Sequence, residues 1–77
     1  MEEVFNKINN ALGGEAVYER ASSFTDAFYF TYSGDRYTLA IFGDLAILTN
    51  ITMQDYCKIT TNNLISEVAE VIRRWQA

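Results

Sequence analysis

A small α+β domain, with a helix at each end and an antiparallel sheet between, is predicted by three observations. Apolar residues recur at helical spacing in the first twelve residues and again after Asn63. The stretch from Ala27 to Thr49 is dense in aromatic and β-branched residues and is broken by two Gly-Asp pairs. No proline, linker or low-complexity tract divides the 77 residues, so a single domain spanning 1–77 is expected. The predicted order is an N-terminal helix, a three- to four-stranded meander, and a C-terminal helix packed on one sheet face.

The first element, MEEVFNKINNAL, places Val4, Phe5, Ile8 and Leu12 on one side of a helix of about three turns. Glu2 and Glu3 stand at the positive end of its dipole, and Gly13 suits the left-handed residue that closes it. From Glu15 to Ser22 an edge strand is preferred to more helix, because two consecutive glycines are costly in a helix interior. Ser22 to Asp26 then turns the chain into the central hairpins.

Gly34-Asp35 reads as a two-residue type II′ turn, with glycine at the position that needs positive φ. Pairing about it sets Phe28 opposite Ile41, Phe30 opposite Leu39 and Tyr32 opposite Tyr37 on one face. A three-residue loop would slip the pairing by one, set Phe28 and Phe30 against Phe42 and Ala40 and so mix the two faces, and the pattern therefore selects the shorter turn. Gly43-Asp44 repeats the device. It adds Ala46 and Leu48 to the Phe28 face, and Leu45 and Ile47 to the opposite face with Tyr29 and Phe42. Between Asn50 and Thr60 a short helix capped by Thr52 is slightly preferred to a fourth meander strand. The final segment, NNLISEVAEVIRRWQA, carries Leu64, Ile65, Val68, Val71, Ile72 and Trp75 in one stripe, with Asn62 or Asn63 as cap and Glu70 spaced to pair with Arg74. Both helices should cover the Phe28 face and leave the Tyr29 face outward.

Ten acidic and six basic residues give a net charge of −4, which disfavours direct binding to nucleic acid or anionic lipid and suits a partner with a basic surface. A single cysteine, Cys57, excludes an intrachain disulfide, and with no signal peptide or membrane span a cytoplasmic location is expected. Asn50-Ile51-Thr52 matches the glycosylation sequon, without consequence in that compartment.

The chain contains no histidine, and so lacks the commonest general base and the commonest metal ligand. Asp35 and Asp44 lie in consecutive hairpin turns, at opposite ends of the sheet, and cannot share a proton or a metal ion in one protomer. No phosphate cradle, dinucleotide fingerprint, zinc spacing or RNA-recognition consensus is present. No catalytic activity, cofactor or metal is therefore expected.

What remains is the surplus of apolar residues on the outward face. Tyr29, Phe42, Leu45 and Ile47 are the expected partner-binding residues, with Asp35 and Asp44 on the turn rims as the acids that would meet a basic partner. A compact acidic domain with no catalytic equipment and a spare apolar surface resembles the small inhibitors of viruses and mobile elements, the anti-CRISPR and anti-restriction proteins among them. That resemblance, one of size, charge and composition, implies a viral protein that blocks a functional surface of a larger, nucleic-acid-handling host protein. The alternative is a homodimer or larger regulatory assembly formed through the Tyr29 face.

Overall fold

The computed structural model describes residues 1–77. Its elements are α1 (Glu2–Ala11), β1 (Val17–Ala21), β2 (Ala27–Tyr32), β3 (Asp35–Phe42), β4 (Leu45–Asn50), β5 (Asp55–Thr60), a single 3₁₀ turn (Thr61–Asn63) and α2 (Leu64–Gln76). The five strands form one antiparallel meander in the order β1-β2-β3-β4-β5. Both helices pack on the same side of it, giving the two-layer α+β arrangement expected, with five strands rather than three or four.

Helix α1 ends where the glycines dictate. Gly13, with φ at 89°, lets its N–H reach Asn10 O at 3.2 Å while the Gly14 N–H reaches Asn9 O at 2.8 Å. These two bonds form the Schellman closure that a left-handed glycine permits. The Asn9 side chain then accepts from Ala16 N at 2.8 Å and steers the chain into β1. Arg73 of α2 donates to the Ala11 carbonyl, so a cation of one helix closes the C-terminal end of the other. Asn63 precedes α2 without a side-chain cap bond, and Glu70 makes no ion pair with Arg74.

Strand β1 carries a bulge. Tyr18 pairs with Phe30 and Arg20 with Tyr29, which leaves Glu19 as the extra residue. Simple alternation would put Val17, Glu19 and Ala21 on one side. With the bulge, Tyr18 and Ala21 share the helix-covered side, while Val17 and Arg20 share the other.

The β2–β3 turn differs from the expected one. Its central residues are Ser33 and Gly34, with φ of 52° and 86°, so the turn is type I′ and Asp35 belongs to the strand. Phe28 pairs with Leu39 and Phe30 with Tyr37, two residues away from the register built on Gly34-Asp35. A slip of two preserves the side-chain parity, so every residue keeps its predicted face. The reason for the choice lies in what Asp35 and Tyr37 gain. Asp35 Oδ2 accepts from Asn50 Nδ2 at 3.0 Å and from Gln76 Nε2 at 3.1 Å, and the Tyr37 ring stacks on Phe30 with centroids 5.3 Å apart. Gly43 at φ 64° followed by Asp44 at negative φ makes the second turn type II′, as the sequence predicts, with Phe42 opposite Leu45.

Residues 55–60 form a strand, not the short helix preferred from sequence. Ile59 and Cys57 fall opposite Ala46 and Leu48 and extend the apolar inner face, which a helix at this position could not do. The core between sheet and helices is built from Phe28, Phe30, Tyr37, Leu39, Leu48 and Ile59 against Phe5, Ile8, Leu12, Val68, Val71 and Ile72. Cys57 is a free thiol, half-buried against this core.

Candidate interaction surface

The side of the sheet opposite the helices carries no covering element. Reading across the strands, the register sets out its rows: Val17, Thr31 and Arg36; then Arg20, Tyr29, Thr38, Thr49 and Tyr56; then Ala27, Ala40, Ile47 and Lys58; then Phe42, Leu45 and Thr60. Phe42 and Leu45 lie directly opposite one another, with Ile47 the next outward residue of β4. Phe42 is 51 % exposed and Leu45 36 %, while Ile47 is half-buried among its neighbours.

Tyr29 does not join this cluster. Thr38 and Ala40 separate it from Ile47, and its ring lies under two cations, with the Arg20 guanidinium carbon 4.2 Å and that of Arg36 5.6 Å from the centroid. Arg36 Nε donates to both carboxylate oxygens of the bulged Glu19, at 3.0 and 3.2 Å, which raises the Arg36 pKa above its ordinary value. This is the only salt bridge in the chain, and Arg20 has no anionic partner.

The two turn aspartates have different fates. Asp35 points to the helix side, into a polar network with Asn50, Gln76 and Tyr37, where it ties the end of α2 to the sheet. Asp44 is exposed in the β3–β4 turn, and its carbonyl accepts from Thr61 N at 3.0 Å. Strand β3, eight residues long, separates them by roughly 23 Å. Asp35 is thus a structural residue rather than part of the outer surface, whereas Asp44 stands in the turn that joins Phe42 to Leu45, at the rim of the apolar cluster.

Sequence reasoning missed Phe24. It is 94 % exposed on the β1–β2 loop, beside a shallow open groove that Ile41 and Phe42 also line, so the apolar corner of the sheet is larger than the strands alone imply. The available signal was an aromatic residue amid Ser22, Ser23, Thr25 and Asp26. Also missed was the sign of the face. Arg20, Arg36 and Lys58, three of the six cations, stand at its outward strand positions with one of the ten acids, Glu19, and Asp26 and Asp44 border it from the flanking loop and turn. The net charge of the chain does not describe this surface.

Asn50, the sequon residue, is fully buried, bonded to Asp35 and, through Oδ1, to Met53 N at 3.0 Å. Its amide is inaccessible for glycosylation in the folded chain. No three His, Cys, Asp or Glu side chains are grouped to hold a metal ion, and no helix is long and apolar enough to cross a membrane. Compared with known proteins, the chain matches no family model, no curated protein and no solved structure.

Proposed function

We propose that the protein is a non-enzymatic interaction module whose uncovered sheet face binds a larger protein. The observation that supports this is the grouping of Phe42, Leu45 and Ile47, with Phe24 at the margin, on a face over which no helix lies. Contiguous exposed apolar clusters on small soluble domains usually mark contact surfaces. Within that class, the resemblance to anti-CRISPR and anti-restriction inhibitors gives the more concrete reading: a cytoplasmic inhibitor that occupies a functional surface of a nucleic-acid-handling host protein. This narrower reading rests on the small size of the chain and, for the compartment, on the lone free Cys57, not on a catalytic site or on the charge of the face.

The test is affinity capture from host lysate with the wild-type chain and with Phe42→Thr, Ile47→Thr, a double variant that keeps the charge and retains good strand formers. A captured partner that disappears with the variant is the expected result. Capture of the same partner by both would contradict the assignment of the face. Sedimentation over a range of concentrations addresses the homodimer, with a monomer expected.

A further inference from the structure

We infer that the occupant of the uncovered face is an acidic segment of a protein partner, held by apolar anchors at the Phe42 corner and by carboxylates at Arg20 and Lys58. This rests on the interaction reading above and adds the charge and chemistry of the partner.

The outward strand positions have the opposite sign to the rest of the molecule. Their single acid, Glu19, is engaged by Arg36, which leaves Arg20 and Lys58 without an anion, while the acids nearest the Phe42 corner, Asp26 and Asp44, lie in the flanking loop and turn. The Arg20 guanidinium carbon lies 4.2 Å from the Tyr29 ring centroid, a cation–π contact that positions the group on this face while its N–H groups have no anionic partner and can take a carboxylate in forked geometry. Lys58 is directly opposite Ile47, so a cation borders the apolar cluster. Strands β2, β3 and β4 are hydrogen-bonded on both sides, so an occupant of this face meets side chains, not an open backbone ladder.

Two other occupants fit less well. Face-to-face pairing of two copies sets a net-positive surface against itself. A nucleic acid would reach the same cations, but it gains nothing from Leu45 and Ile47 and runs past the rims of a chain whose other nine acids lie off this face.

The experiment is an NMR titration of the labelled full chain with three probes: a synthetic amphipathic peptide with leucines on one side and glutamates on the other, the same peptide with lysine for every glutamate, and a single-stranded DNA oligonucleotide. The glutamate peptide should shift the amides of Tyr29, Thr38, Ile47 and Lys58, and bind about tenfold more weakly to Arg20→Glu, Lys58→Glu. Tighter binding of the DNA, or equal binding of both peptides, would overturn the acidic-protein assignment. Equal peptide binding that is lost in Phe42→Thr, Ile47→Thr would leave the face as the contact surface and refute only its preference for acid. Shifts confined to other surfaces would refute the face itself, and with it the reading on which the inference rests.

Discussion

Asn50 and Tyr37 show how much depends on single polar groups within this small core. Asn50 is buried with both ends of its amide engaged, so Asn50→Ala leaves the Met53 N–H without its acceptor and Asp35 without one donor. A loss of about 1–3 kcal/mol in denaturant unfolding is expected. That is a large share of the roughly 4–12 kcal/mol typical of a chain this long. Tyr37 is pushed above its ordinary pKa of 10.0 by burial, while the Gln76 amide that donates to its hydroxyl acts in the other direction. An acid whose pKa is raised by folding contributes stability that is complete below about pH 10 and is lost as pH rises from there through the folded value. Tyr37→Phe should therefore flatten the decline in stability over the alkaline range, at the expense of the Gln76 bond. A decline as steep as that of the wild type would show that Tyr37 does not govern it. None of this network was legible in the sequence, because it joins residues from β3, β4 and α2 that only the register brings together.

Among the elements, the central hairpin carries the most specific expectations. Phe30→Ala removes a ring that stacks on Tyr37 and touches Phe5 and Phe28, and should cost about 3–5 kcal/mol. Gly34→Val should also destabilise, since a β-branched residue resists the 86° φ of that position. In NMR spectra, cross-strand contacts should link Phe28 with Leu39 and Phe30 with Tyr37. Contacts of Phe30 with Leu39 as its direct partner would restore the Gly34-Asp35 turn. The faces of β2, β3 and β4 were legible because alternation depends on parity alone, which a two-residue shift leaves intact. The turn was not, because Ser33-Gly34 and Gly34-Asp35 satisfy the same local pattern and the choice is made by the distant Asn50 and Gln76. Residues 55–60 were ambiguous for a related reason: Cys57 and Ile59 alternate weakly, and only the edge of β4 requires them to be a strand.

At the scale of the whole molecule, two helices cover one face of a five-stranded sheet and leave the other free. The sequence revealed the apolar surplus at Phe42, Leu45 and Ile47, but not the separation of Tyr29 beneath its arginines or the exposed Phe24. Net charge was misleading about this surface because it averages a positive face with an acidic body. If the face is a contact surface and not a second core, its apolar residues contribute little to folding. The direct measurement is the unfolding free energy of Phe42→Thr, Ile47→Thr against the wild type. A difference of no more than about 1 kcal/mol per substitution is predicted, as for residues in a partly exposed strand. A combined loss well above 3 kcal/mol, on the scale of core truncations, would show that the face is buried and contradict its role in binding.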